Sequence, residues 1–292
     1  MTQRTLLLTN PGSRSGKDQA KALSDSLSGE GEVHAIQPDK PEQLPQAIRE
    51  HGPRVDRIVL GGGDGTVNLA LDALLEVDKP TGLIPLGTAN DLARTLGIPD
   101  DIDEALAVIK RGHLRSVDVS RADDVSFINA IGLGLGPSMT REMDSDTKAR
   151  LGVLAYLVGI VRAFRGQKAF KARIETDRGQ HQGKFLQITV ANGVHYGGGM
   201  TIAEDARIDD GCLDVLLVRQ QSRLELLANA LRFKTGDTRT ANWLTHTRCR
   251  RVSIKTNPSL EFTADGEFLG KTPLECTIKP SALRVFAPDT DN

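Results

Sequence analysis

The sequence predicts an α/β amino-terminal domain built on a parallel sheet, followed by a second, mostly antiparallel β domain. Three observations carry this. Up to about residue 112, short apolar runs alternate with helical patterns, as in a parallel sheet covered on both faces. Beyond that point strand-like runs dominate and helical patterns become rare, which favours antiparallel pairing. Gly and Pro also cluster where the early strands end, the place where open α/β sheets bind ligands.

Taken in order, residues 5–9 form the first strand candidate and 17–27 a helix. A strand at 33–36, a helix at 41–51 and a strand at 57–60 follow, then a helix at 66–75 and a strand at 82–86. Residues 90–96 and 102–110 are helical in pattern. In the second part, 127–131, 172–176, 186–191, 213–218, 252–255, 260–263 and 283–286 read as strands, with helices expected only around 147–164 and 223–233. The boundary is expected near 115, giving domains 1–115 and 116–280. No long linker or low-complexity tract separates them, so a cleft between the domains is the default place for a site.

Composition narrows the class. Of the 292 residues, 39% are hydrophobic and 26% charged, the balance of a core-forming globular chain. A formal net charge of -1 leaves no overall basic field for nucleic acid, so nucleic acid is not expected as a partner. The apolar stretch 151–164, interrupted by Arg162, falls short of the roughly 20 residues of a membrane span. The run Leu6, Leu7 and Leu8 reads as a buried strand, too short for a signal peptide. Cys212, Cys249 and Cys276 lack any C-x-x-C spacing, so they are expected as reduced thiols in the cytoplasm.

The sharpest local pattern is Gly61-Gly62-Gly63-Asp64-Gly65-Thr66-Val67-Asn68, between a strand and a helix. Glycines let a backbone approach phosphate oxygens, and a helix start offers unpaired N–H groups and positive dipole. A plain tight turn with Asp64 as a helix cap accounts for the same residues. The pattern is neither a Walker A loop nor a dinucleotide fingerprint. Nearby, Gly12 to Lys17 has one spacer too few for a P-loop, and Asp18 replaces the hydroxyl residue. A second strand–loop–helix passage, Pro85-Leu86-Gly87-Thr88-Ala89-Asn90-Asp91, supplies a hydroxyl, an amide and a carboxylate. Phosphoryl transfer needs positioning, charge neutralisation and a base near the acceptor hydroxyl, and these residue types suit the first two. Asp265-Gly266-Glu267 supplies late carboxylates, although a simple hairpin turn explains it as well. The six histidines are scattered, with His195 alone in a suspected functional loop.

Gly-Gly-Asp-Gly-Thr at 62–66 followed by Gly-Thr-Ala-Asn-Asp at 87–91 resembles the diacylglycerol kinase and sphingosine kinase superfamily. Asn10-Pro11 with Ser15-Gly16, then Asn192, Tyr196-Gly197-Gly198-Gly199-Met200, Ala206, Asp210-Gly211 and Leu213-Asp214-Val215 extend the likeness, which ends at Asp265-Gly266-Glu267. The motifs occur in order over nearly the whole chain, closest to the bacterial soluble lipid kinases.

The resemblance implies a Rossmann-like first domain and a β-sandwich second domain, with the tail, about 280–292, returning to the first. It implies Mg-ATP as phosphoryl donor and a hydroxyl of diacylglycerol or a related lipid as acceptor. Gly62, Gly63, Asp64, Gly65, Thr66, Val67 and Asn68 would hold the ATP phosphates, with Thr88 and Asn90 also at the nucleotide. Asp64 and Asp91 would organise Mg²⁺, directly or through water, and Glu267 would be the general base. Asp210, with the main-chain carbonyls of Arg207 and Cys212, would form a second, structural site for Mg²⁺ or Ca²⁺. The expected setting is cytoplasmic phospholipid biosynthesis, with transient contact at the inner membrane face and room for a homodimer.

Two departures stand out: Ile36-Gln37 replaces a Thr often found at the nucleotide edge, and Glu204 replaces a Pro. The stripe Leu151, Leu154, Ala155, Val158, Val161 and Phe164 fits core packing, or a lipid-facing helix flanked by Lys148, Arg150, Arg162, Arg165 and Lys168. Arg248, Arg250 and Arg251 form another basic cluster, read as a solvated strand face or a headgroup contact. Two rival functions remain. An NAD kinase-like enzyme shares Gly-Gly-Asp-Gly but lacks the later loop and turn, and a catalytically inactive lipid-binding regulator would not need Asp64, Asp91, Asp210 and Glu267.

Overall fold

The alternation of Leu6, Leu7 and Leu8 between two separate apolar clusters shows at once how the first sheet is built. In the computed structural model, residues 3–10, 16–134, 169–196, 200–201, 206–220, 244–265 and 267–289 are described. The expected helices at 147–164 and 223–233, with their flanking cations, lie outside them. Two units emerge: Met1–Asn129, Asn192–Cys212 and Ile278–Asn292 form the first, and Ala130–Ala191 with Leu213–Thr277 the second. The division differs from the expected boundary near 115, because β5 and β6 remain with the first unit.

The first segment runs β1 (Gln3–Thr9), α1 (Gly16–Ser28), β2 (Gly31–Ile36), α2 (Leu44–His51), β3 (Arg57–Gly62), α3 (Asp64–Val77), β4 (Thr81–Pro85), α4 (Asp91–Thr95), α5 (Ile102–Arg111), β5 (Leu114–Ala122) and β6 (Val125–Phe127). Strands lie in the parallel order β2-β1-β3-β4. Successive side chains of a strand point to opposite faces, so a doubly covered sheet needs apolar residues at every position. Leu6, Leu8, Ile58 and Leu60 pack with Leu71 and Leu74 of α3 and Ile48 of α2. Leu7 and Val59 pack with Leu23 and Leu27 of α1 and Leu106 and Ile109 of α5. The continuous apolar runs are thus a consequence of two-sided burial. α5 is closed in the expected way: Asp101 accepts from the Asp103 and Glu104 amides, and Gly112 ends the helix in the left-handed region.

The chain continues with β7 (Ala130–Leu133), β8 (Phe170–Thr176), β9 (Gly179–Ala191), β10 (His195–Tyr196), β11 (Met200–Thr201), β12 (Leu213–Arg219), β13 (Leu244–Cys249), β14 (Arg251–Asn257), β15 (Glu261–Ala264), β16 (Glu267–Lys271) and β17 (Leu274–Phe286). Of these, β10, β11 and the last part of β17 belong to the first unit, where Val285 sits beside Thr81 in parallel register. In the second unit every strand pair among the described residues is antiparallel, in the order β16-β15-β7-β9-β8-β14, with β12 and β13 added on β9. β8 alternates strictly, Phe170, Ala172 and Ile174 inward and the residues between them outward. The expected single strand at 127–131 is broken: β6 ends at Phe127 and β7 starts at Ala130. The Asn129 carbonyl accepts from the Asn192 amide there, which takes it out of the ladder.

Candidate active site

The two strand–loop–helix turns of the first unit are locked to each other. Thr66 and Val67 amides turn back onto the Gly63 carbonyl, and the Leu86 amide donates to Gly62, carrying the β3–β4 pairing into the loops. A Cβ on Gly87 would lie 2.5 Å from the Gly63 Cα, and one on Gly62 would strike Thr66. Both glycines are demanded by this close approach. Gly65 differs. It is exposed, sits in the first turn of α3, and a Cβ there would meet nothing within 4 Å.

The second turn is held by Asn90, which adopts φ 51. Its Oδ1 accepts from the Gly87 amide at 3.0 Å, and its Nδ2 donates to the Gly87 carbonyl at 3.1 Å and to Asp100 at 3.3 Å. Asn tolerates this left-handed backbone because its short amide bonds locally. Thr88 is exposed on the same turn. Asn10, at the end of β1, donates through Nδ2 to Thr66 Oγ1 at 3.0 Å. Asn68 lies one turn further along α3, its buried Oδ1 without a hydrogen-bond partner among the described residues.

Asp64 bridges the turns. Its Oδ2 accepts from the Asp91 amide at 3.0 Å and its Oδ1 from the Leu92 amide at 3.1 Å. The Asn129 Nδ2 approaches Oδ1 at 3.4 Å. The carboxylate therefore caps α4, a helix too short to persist alone, with charge-assisted bonds at its positive end. Capping was expected of Asp64 on its own helix; it occurs on the neighbouring one. Asp91 is buried at the start of α4. At the other end of α4, Thr95 Oγ1 lies 3.2 Å from His195 Nδ1. Burial and the Arg94 charge hold the His195 ring below its ordinary pKa, with Asp91 opposing more weakly.

The loop carrying Arg207, Asp210 and Cys212 is also built from within. Asp210 Oδ1 accepts from the Cys212 amide at 3.0 Å. Arg115 places two donors on Asp209 Oδ2, at 2.8 and 3.0 Å, and Arg207 reaches its Oδ1 at 3.1 Å. Burial pushes Asp209 up, but the hydrogen bonds and charges of Arg115 and Arg207 outweigh it and hold the carboxyl below its ordinary range. Asp118, which the sequence reading passed over, anchors this loop. It is 1% exposed, and its carboxylate accepts from the Gly211 amide at 2.6 Å and the Ser281 amide at 2.7 Å. The buried Asn192 Nδ2 donates to the Asp118 and Ile128 carbonyls. The signal for Asp118 was a lone carboxylate between Val117 and Val119, at a position where an apolar strand faces inward. Among the described residues no three His, Cys, Asp or Glu side chains converge as a metal centre.

In the second unit, Asp265 and Glu267 take different parts. Asp265 has φ 47, its Oδ1 accepts from the Ala130 amide at 2.8 Å, and its own amide donates to the Ala130 carbonyl. Glu267 begins β16, exposed. The left-handed turn at Asp265 breaks the extended alternation that would put the two side chains on one face. Arg248 and Arg251 are likewise committed, to Asp214 and Glu275. None of the three cysteines forms a disulfide. No helix among the described residues is long and apolar enough to cross a membrane.

The architecture is thus a parallel α/β unit with two glycine-bearing turns and an antiparallel β unit. Residues 4–122 match the family described as the diacylglycerol kinase catalytic domain, and 130–287 match the YegS C-terminal NAD kinase beta sandwich-like domain. The chain is 32% identical over 242 residues to a protein of Shewanella frigidimarina named "Probable lipid kinase YegS-like", covering 80% of this chain and 77% of that one. It is 32% identical over 234 residues to the diacylglycerol kinase of Bacillus subtilis, covering 78% and 75%. An uncharacterized protein of Synechocystis, sll0036, is 30% identical over 266 residues, covering 86% of this chain and 60% of the relative. A structure from Bacillus anthracis assigned as a diacylglycerol kinase superposes with TM-score 0.82 at 26% identity, covering 98% and 96%. An NAD kinase from Archaeoglobus fulgidus in complex with ATP gives 0.54 at 15% identity, a likeness of fold alone. The chain belongs to the bacterial lipid kinase family that joins a diacylglycerol kinase catalytic domain to a YegS-type C-terminal domain, and as a member it is a kinase.

Proposed function

We propose that the protein transfers the γ-phosphoryl group of Mg-ATP to a hydroxyl of diacylglycerol or a related glycerolipid. The observation that carries this is Gly65: no internal contact and no left-handed backbone requires a glycine there. A phosphate lying against the first turn of α3 does require one, since any side chain would stand between it and the amides. On this reading Gly62, Gly63, Gly65, Thr66, Val67 and Asn68 cradle the phosphates, and Thr88 and Asn90 border the nucleotide. The parallel order of the first sheet supports the Rossmann-like description of that unit.

Mg²⁺, when bound, neutralises charge on the phosphates and on the group in flight. The Asp91 carboxylate suits such a hard cation, and Asp210 with the Arg207 and Cys212 carbonyls supplies oxygen donors for a second, structural one. Asp64, with main-chain amides on both oxygens, acts by holding α4 and Asp91 in place, and on any cation through water. Glu267 takes the proton of the acceptor hydroxyl. Asp265 is the poorer candidate, because its carboxylate maintains the turn. The enzyme would work from the cytoplasm, meeting its substrate by transient contact with the inner membrane face. Incubation with labelled ATP, Mg²⁺ and a total lipid extract, beside NAD, tests the proposal. Label in a phosphorylated glycerolipid supports it. Label in NADP, or nucleotide binding without turnover of any lipid, overturns it.

A further inference from the structure

The outer face of β8, β9 and β14 carries a charge pattern that folding alone does not favour. Lys171 of β8 stands directly opposite Lys184 of β9, and Arg173 of β8 directly opposite Lys255 of β14. Partners in an antiparallel pair share a face and lie about 5 Å apart at Cβ, and like charges placed so destabilise the sheet. All four side chains are exposed, while Phe170, Ala172, Ile174, Val252 and Ile254 behind them are buried. Arg251 adds a fifth cation on the same face of β14. The one carboxylate on the outer face of these three strands is Glu175, bonded to Arg173 at 2.6 Å, and Arg251 is met by Glu275 of β17. Lys171, Lys184 and Lys255 have no carboxylate partner among the described residues. This happens in a chain whose formal net charge is -1, so the cations are gathered rather than spread.

We propose that this sheet face is the surface by which the protein docks onto anionic phospholipid headgroups. Its choice of a bilayer as partner rests on the lipid-kinase reading. The cations are set on the two-residue and interstrand spacings of a sheet, so they point to the same side of it. A headgroup layer offers a plane of negative charge, and each Lys or Arg held there strengthens binding about fivefold. An opposing anionic surface also relieves the repulsion within the two like-charged pairs. Of the basic cluster expected at Arg248, Arg250 and Arg251, only Arg251 belongs to this face, since Arg248 faces the buried Asp214.

The test uses the full chain in sedimentation with phosphatidylcholine vesicles, with and without phosphatidylglycerol. Binding is expected only to the anionic vesicles, and to be lost at high salt. Lys171→Gln with Lys255→Gln should weaken it about 25-fold, while kinase activity on acceptor lipid in neutral detergent micelles stays unchanged. Lys171→Glu gives an independent signature. It should weaken vesicle binding about 25-fold as well yet raise Tm by about 1–4 °C, because a cross-strand ion pair with Lys184 replaces a repulsion. Anionic-vesicle binding that the variants leave intact, or no binding at all, would overturn the proposal. So would an equal affinity for single-stranded DNA, lost in the same variants. If vesicles bind through this face but no lipid is phosphorylated, the docking surface stands and the kinase reading falls.

Discussion

Replacing Gly65 with Ala separates the fold of the first unit from its ligand. The added methyl group meets no atom within 4 Å, and the position is helical. Within the protein the change is favourable: Gly→Ala at a compatible helical site stabilises by about 0.4–1 kcal/mol. That corresponds to a rise in Tm of roughly 1–4 °C for a chain of this size. Toward ATP the sign reverses. If phosphate oxygens accept from the Gly65 amide and its neighbours, a methyl group at this point holds them off. Losing one charge-assisted bond costs about 1.5–3 kcal/mol, or roughly 10- to 100-fold in affinity. Thermal melting and ATP binding by calorimetry on the same preparation read both numbers. A variant that melts slightly higher and binds ATP normally would refute the phosphate cradle, because it would leave Gly65 with no role. One that melts lower would refute the geometry itself.

Other consequences follow from single contacts. Asp64→Asn keeps one acceptor for two main-chain donors, so one α4 amide loses its partner; a loss of about 2 kcal/mol and a Tm fall of roughly 4–8 °C are expected, together with abolished turnover, and near-normal melting would contradict the capping role. Glu267→Gln should cut kcat by about 10²- to 10⁴-fold with ATP affinity and Tm unchanged, whereas Asp265→Asn should lower Tm first; the reverse pattern would exchange their roles. Asp209, held below its ordinary pKa in the folded state by Arg115 and Arg207, contributes stability above its unfolded value of about 3.9 that is lost as pH falls through the folded value. Melting followed from neutral pH to below about pH 4 should therefore show a steeper acid loss in the native protein than in Arg115→Gln; identical profiles would remove Asp209 from the account.

Much of the first unit was open to reading because its rules are local. Leu6, Leu7 and Leu8 announce a strand buried on both sides, and Gly61 to Thr66 announces a turn into a helix, each within a few residues. The second unit was legible as antiparallel from its run of strand-like segments with few helical patterns among them. β5, β13 and β16 escaped because their exposed and buried positions do not alternate cleanly. The break at Ile128 and Asn129 escaped because it depends on Asn192, far along the chain.

Within the site the same distinction holds. The order of the motifs, the residue types able to meet phosphate and the family resemblance were all present in the linear chain, since backbone approach and helix starts are encoded by neighbouring residues. The tertiary structure alone decided which of those residues are already engaged. Asp64 spends its carboxylate on amides 27 and 28 positions away, Asp118 on amides 93 and 163 positions away, and Asp265 on one 135 positions away. A carboxylate in a sequence carries the same charge whether it will cap a helix, brace a loop or take a proton. Only the donors that folding brings to it choose among these, and they come from elements that no local pattern connects.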